Sequence, residues 1–461
     1  MMHTEFDKKK SRMTSAQIIP LSFLIAIAVG TLLLMLPVST ADGETTNLLT
    51  AIFTATTSLC VTGLVVVDTY IHWSLFGKII ILIMIQLGGL GIIAVTSFLM
   101  LMIHRKFSLS QYVMIHDSFN LDSMSGLLKF LIGVFKGTFM VEGLGALIYM
   151  VVFIPKYGVG QGIWISVFTA ISAFCNAGID IMGPDSLISW NGNTLLLINT
   201  MFLIVMGGLG YVVWFDICRG VKDKFVKKYS FRTMVKRLSE HTKLVISITV
   251  VLIVSGAILV FLMEYSNPDT IGNMSLGGKV MNSIFQSVTF RTAGFASVPQ
   301  DGLRESTAAM GLLFMFIGGS PVGTAGGVKT VTLFFVVLNG VSFIRNRNEV
   351  VVFNRKLSQG LMQKASAIIL VSFSVTFFLL LLILMTNDVG IMDASYEIFS
   401  AIATVGLSRA LTPNLNSIGK LIVILAMYLG RIGPISMALF FNYRGMDKNS
   451  ISFAEGRFFV G

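Results

Sequence analysis

Six stretches of about twenty residues are almost free of charge: 18–36, 79–103, 195–215, 244–263, 367–385 and 422–441. A run of that length matches the ~30 Å hydrocarbon core of a bilayer. A helix satisfies its own backbone in that medium, so each run reads as a spanning helix. The whole chain agrees, with 54% hydrophobic and 12% charged residues, about half the charge of a soluble domain. The expected class is an all-α, multi-pass membrane protein. Its polar start, MMHTEFDKKKSRMTSAQ, precedes an apolar run with no small-residue cleavage site, so the first helix is expected to be retained.

Most of the 34 Lys and Arg fall on one side of these runs, in 8–12, 105–106, 219–243, 345–364 and the tail 444–457. The other side holds only Lys78, Lys156, Lys279, Arg304, Arg409 and Lys420. By the positive-inside rule the rich side is cytoplasmic, and both termini with it. The net charge of +11 is therefore a topology signal and does not call for nucleic acid. The stretch 219–243 is also suited to anionic lipid or a cytosolic partner. Three cysteines, Cys60, Cys175 and Cys218, form no CxxC, and the histidines lie in or beside polar connections. No HExxH, Walker or GxSxG string occurs, and no enzyme is expected.

The chain repeats itself. TTSLCVTGL (56–64), AISAFCNAGI (170–179), SVTFRTAGF (287–295) and FSAIATVGL (399–407) align on Gly63, Gly178, Gly294 and Gly406, at intervals of 115, 116 and 112 residues. Asn176, Thr292 and Thr404 stand two places before their glycines; the first unit has Val61 there and Thr62 next. A second glycine signature follows each by roughly 24 to 29 residues: GGLG at Gly88, GGLG at Gly207, GGSPVG at Gly318 and GRIGP at Gly430. These sets read as close packing of the second helix on its neighbours.

Each unit reads as a long helix, a short amphiphilic segment, the glycine, and a second long helix. A segment of a dozen residues spans about 18 Å, half a bilayer, so it enters and leaves on the outer side. Four such re-entrant loops can share an axis and offer backbone carbonyls to a dehydrated cation. Glycine admits the dihedrals that aim consecutive carbonyls inward, and the C-terminal end of each short helix favours positive charge. The expected fold is four pseudo-repeats of helix, pore loop and helix around a central pore, with eight spanning helices. Its divisions are a cytoplasmic N-terminus (1–16), repeat 1 (17–104), repeat 2 (126–218), a basic cytoplasmic loop (219–241), repeat 3 (242–344), repeat 4 (364–443) and a cytoplasmic tail (444–461). The filter candidates are Val61, Thr62 and Gly63; Asn176, Ala177 and Gly178; Thr292, Ala293 and Gly294; Thr404, Val405 and Gly406.

TSLCVTGLVVVDT (57–69), AISAFCNAG (170–178), RTAGF (291–295), TVGL (404–407) and GRIGP (430–434) resemble the Ktr/Trk/HKT superfamily of potassium transporters, and within it the membrane subunits of bacterial Ktr systems. The resemblance runs from the first helix to FAEGRFFVG (453–461). It implies a potassium-translocating subunit in the bacterial cell membrane, with K⁺ at the carbonyls of Gly63, Gly178, Gly294 and Gly406. It implies no covalent cofactor and leaves Na⁺ open as an activator. Some plant relatives carry serine at the first filter position and favour sodium; Gly63 fits potassium, with a sodium-permeable or Na⁺-coupled transporter of the same superfamily as the alternative. The resemblance further implies a homodimer with its tail near the interface, and a cytosolic ring of RCK subunits that bind ATP or ADP. No cytoplasmic segment reaches the roughly 100 residues of such a domain, so control is expected from a partner docked on 219–243 and 345–364.

Residues 318–329, GGSPVGTAGGVK, suit a helix poorly, at about 1 kcal/mol per glycine and 3 per proline, yet apolar runs flank them. A break at membrane depth is expected, either a packing kink or the intramembrane gate of the resembled family. The gate candidates are Gly318, Gly319, Ser320, Gly323, Thr324, Gly326 and Gly327, with Arg431 donating to the carbonyls of the broken segment. Arg291 is expected behind the filter, paired with a carboxylate for which Glu397 is the candidate. Glu142 and Lys136 read as structural, Lys329 as snorkelling to the cytoplasmic surface, and Cys60 and Cys175 as small residues of the short helices. A rocking transporter would need halves of opposite topology, whereas every unit here begins on the basic side.

Overall fold

The computed structural model describes residues 15–102, 126–228, 230–347 and 349–433. The expected N-terminal segment, the tail from 444 and Pro434 lie outside the described residues. Among the described residues, four helices are long and apolar enough to cross a bilayer: Ser15–Leu34, Leu127–Tyr157, Glu240–Glu264 and Gln359–Thr386. Each is followed by a short helix: Leu48–Cys60, Val159–Cys175, Leu276–Thr289 and Ile391–Ile402. An irregular segment then leads to a return helix: Leu75–Leu90, Thr194–Leu209, Glu305–Phe316 or Ser417–Ile432. Polar side chains start three of the return helices, where Ser74, Asn193 and Asn416 accept from the backbone N–H three residues on. Each satisfies a donor that the first turn would leave free.

The exposed surface departs from that of a water-soluble protein. The long helices expose apolar stripes, such as Met140, Leu144, Leu147 and Val151, or Leu370, Phe373 and Phe377. The short helices bury hydroxyls and amides alongside apolar side chains, including Thr57, Ser172, Gln286 and Ser400. Apolar side chains turned outward in stripes suit lipid, and buried polar groups suit an internal polar path.

Three of the return runs are broken, the first two where a continuous helix was expected and the third where a break was. The first breaks at Gly91 (φ 88°), before Ile92–Met102. The second bends by 101° at Gly210 (φ 88°), before Tyr211–Lys227. The third breaks over 317–329, before Thr330–Ile344, and the fourth ends at Ile432 beside Gly433 (φ 89°). The glycine signatures therefore do two jobs. Their first glycine packs, since a Cβ at Gly88, Gly207 or Gly430 would lie within 3.0 Å of the Leu59, Phe174 or Ile402 carbonyl oxygen at the end of a short helix. The last glycine of the first and second sets breaks the helix, and that of the fourth, Gly433, follows its end.

The basic stretch 219–241, expected as a loop, is largely helical. Tyr211–Lys227 and Phe231–Arg237 run into the start of Glu240–Glu264, and Asp216 Oδ2 accepts from Ser239 N–H at 2.8 Å. Between Thr330–Ile344 and Gln359–Thr386 lies a small antiparallel hairpin, Val351–Val352 with Arg355–Lys356.

Candidate ion pathway

The four short helices end alike. The residue two places before each aligned glycine has a left-handed backbone: Val61 (φ 56°), Asn176 (61°), Thr292 (64°) and Thr404 (51°). The glycines that follow also have positive φ, at 97°, 64°, 82° and 93°. A β-branched residue at positive φ costs on the order of 1–3 kcal/mol and persists only where its surroundings enforce it. Val61 occupies the place of Asn176, Thr292 and Thr404, so the departure of the first unit is one of residue type and not of backbone.

These segments close into a ring. A Cβ on Gly63 would lie within 3.0 Å of Ala177 O, on Gly178 of Ala293 O, on Gly294 of Val405 O, and on Gly406 of Thr62 O. Each glycine thus abuts the carbonyl that precedes the glycine of a neighbouring unit, and the order returns to its start. No side chain fits at these contacts. Among the described residues, none of the carbonyls of 61–63, 176–178, 292–294 or 404–406 accepts a backbone hydrogen bond. Buried carbonyls are normally paired; carbonyls without a backbone donor, gathered by the four-glycine contacts, are the kind of oxygen that can be offered to a cation.

Hydroxyls on the short helices hold the ring. Thr57 Oγ1 accepts from Gly63 N–H and Ser400 Oγ from Gly406 N–H, both at 3.0 Å. Ser172 Oγ donates to Ile179 O at 2.5 Å and Thr289 Oγ1 to Phe295 O at 2.6 Å. Sequence reasoning missed these four residues. The signal was present: Thr57, Ser172 and Ser400 each stand six places before their glycine.

All four glycines line the floor of an outer cavity of about 680 Å³. Asp68, Asp180, Asp185 and Asp301 lie on its wall, which carries no Lys or Arg. Burial pushes the Asp180 carboxyl up to about 6, against the pull of the Met182 N–H and Ser186. The ring's other side meets segment 317–329. Thr324 Oγ1 donates to Phe174 O at 3.0 Å, and a Cβ on Gly326 would overlap Thr404 Oγ1. The segment is pinned to the second return helix through Ser320 N–H to Gly208 O and Thr324 N–H to Gly207 O. Below it an inner cavity of about 330 Å³ is lined by Gly88–Gly91, Gly323, Gly326, Lys329 and Arg431, among others. Arg431 donates to Thr324 O at 2.6 Å and to Gly88 O.

Residues 2–450 match the TrkH family model, described as a cation transport protein. The chain is 34% identical over 450 residues to Ktr system potassium uptake protein B of Bacillus subtilis, covering 98% of this chain and 97% of that protein. It is 35% identical over 432 residues to potassium/sodium uptake protein NtpJ of Enterococcus hirae, covering 93% of each. The fold is similar to the crystal structure of the potassium transporter TrkH from Vibrio parahaemolyticus, with a TM-score of 0.74, 15% identity, and coverage of 94% of this chain and 86% of that one. The chain belongs to the TrkH cation transport family.

In this TrkH-family chain, three intramembrane residues sit otherwise than their sequence suggests. Glu397 does not pair with Arg291: it turns toward the loop after the fourth glycine and accepts from Ser408 Oγ at 2.6 Å and from Thr412 Oγ1. Arg291 lies away from the outer cavity, beside Thr249, Gly208 and Gly319, and forms no ion pair among the described residues. Lys329 does not snorkel, because Ala325 O, in its own segment, accepts from Nζ at 2.6 Å. A second buried carboxylate, Glu264, ties the outer loops of the third unit, accepting from Asn267, Thr270, Thr307 and the Arg304 N–H.

Proposed function

We propose that this chain is the potassium-translocating membrane subunit of a bacterial uptake system, seated in the cell membrane with both termini in the cytoplasm. The ring of four glycines against four free carbonyls carries the reading. It offers a dehydrated monovalent cation oxygens without burying an opposing charge, and it sits between an acidic outer vestibule and an inner cavity. K⁺ is held at the carbonyls around Gly63, Gly178, Gly294 and Gly406, and catalysis in the covalent sense plays no part. The names of the Bacillus and Vibrio relatives, potassium uptake proteins, support potassium as the cargo. The segment 318–327 is the gate and Arg431 its latch: the guanidinium ties Thr324 in the segment to Gly88 in the first return helix.

Control comes from a cytosolic, nucleotide-binding RCK-type ring, and the chain works as a homodimer. What supports a partner on the cytoplasmic face is its composition: the basic helices Tyr211–Lys227 and Phe231–Arg237 expose Phe225, Val226 and Phe231, and Phe343 and Ile344 are exposed just before Arg345 and Arg347. Expression in a cell lacking its own potassium uptake tests the function. Growth on limiting potassium is expected, lost with Gly63→Ser; no rescue by the chain together with its ring subunit overturns the reading. The Enterococcus relative's name favours one further reading, a pore that also passes sodium; sodium flux through the same chain at limiting potassium would select it.

A further inference from the structure

Glu142 is a carboxyl in the middle of the spanning helix Leu127–Tyr157, 4% exposed, outside both cavities. An ionisable group at that depth is costly unless it has work to do. Its Oε2 accepts from Gln86 Nε2 at 3.2 Å, and Gln86 Oε1 accepts from Cys175 Sγ at 3.5 Å. Cys175 is the last residue of the second short helix and is joined to Asn176, the left-handed residue that opens the second filter segment. Gln86 also stands two residues before Gly88, whose carbonyl accepts from Arg431.

We propose that Glu142 is a positioning residue for the second filter segment, acting through Gln86 and Cys175; this rests on the reading of the ring as the filter. The chemistry of the amide is the reason. A side-chain amide has one donor end and one acceptor end. Glu142 presents an acceptor, so Gln86 must turn its NH₂ toward it and its oxygen toward the thiol. Without that acceptor the amide is free to flip and set its NH₂ against Cys175. The thiol has no slack to absorb the change, because a Cβ at Gly89 would already overlap Cys175 Sγ and Cβ. A displacement there passes into the backbone of Asn176 and Gly178. The role requires an acceptor at position 142 and does not require a charge.

Three groups of variants in proteoliposomes test this, with the K⁺/Na⁺ permeability ratio as readout. Glu142→Leu is expected to lower the ratio roughly five- to tenfold, the scale of one buried hydrogen bond. Glu142→Gln keeps an acceptor oxygen and should stay within about twofold of wild type. Gln86→Leu should match Glu142→Leu, and the double variant should lose no more than either, since both cut one chain. Gln86→Leu also carries the test if Glu142→Leu fails to fold. Gly178→Ser, which strikes the ring directly, separates the two ideas. If it leaves the ratio unchanged, the filter reading falls, and this proposal with it. If it lowers the ratio while Glu142→Leu does not, or if Glu142→Gln fails as badly as Glu142→Leu, or if the two leucine effects add, the relay is overturned.

Discussion

The outer and inner faces of the same pore are built by opposite rules. On the outer face, four units supply the same part: a short helix, a left-handed residue, a glycine, and a carbonyl against the preceding unit's glycine. On the inner face the four units diverge. The first two break at a single glycine, the third inserts 317–329, and the fourth alone supplies Arg431. A site that must surround an ion gains from four equal contributions. A device that must open and close needs one movable part and one hold on it, so on the proposed reading near-symmetry at the ring serves selection and asymmetry below it serves gating.

That division breaks most visibly at the ring. Gly406→Ser places a side chain against Thr62 O where none fits, and should lower K⁺/Na⁺ selectivity about ten- to a hundredfold, the equivalent of ~1.4–2.8 kcal/mol. Equal effects at Gly63, Gly178 and Gly294 would sharpen the symmetry; one tolerant position would break it. On the inner face, deleting 318–327 should raise ion flux several-fold while leaving selectivity in place. Arg431→Ala should act in the same direction and less strongly, because the segment keeps its bonds to Gly207 and Gly208. A folded deletion variant with reduced flux counts against a gate.

Smaller effects belong to the supports. Thr57→Val and Ser400→Ala each remove one acceptor from a ring N–H, and should cost about 0.5–1.5 kcal/mol in thermal stability, with a matching loss of selectivity. Smallest is the vestibule. The Asp180 carboxyl is raised above its ordinary value, so it takes up a proton as external pH falls through about 6. Negative charge at the ring's entrance drops, and potassium uptake should fall over the same window, more at low ionic strength than at high. Asp180→Asn should show lower uptake at pH 7 and a flatter profile between pH 7 and 5; an unchanged profile removes Asp180 from the entrance.

Much of this was legible from the residues because the repeat period carries it. A glycine recurring four times after a half-span segment has few other uses, and the poor helix propensity of 318–329 marks its own break. The carboxylate partners were not legible. Glu397 lies in a short helix near Arg291 in sequence pattern, but only the course of the loop after Gly406 brings Ser408 and Thr412 within reach. Lys329 was misplaced for a related reason: an irregular backbone frees carbonyls beside its own lysine, and the sequence does not say where they point. The return-helix breaks sat in plain view in GGLG, masked because a glycine pair serves packing and turning equally well. The Gln86–Cys175 contact joins residues 89 apart, on different units, and no period announces it.

On this reading the ring coordinates the ion. The direct measurement is the anomalous scattering of thallium or rubidium in crystals of the protein grown with either ion in place of potassium. A peak on the axis between the carbonyls of Thr62, Ala177, Ala293 and Val405, bounded by Gly63, Gly178, Gly294 and Gly406, is the predicted result. Ordered thallium elsewhere in the membrane with none at the ring would contradict it.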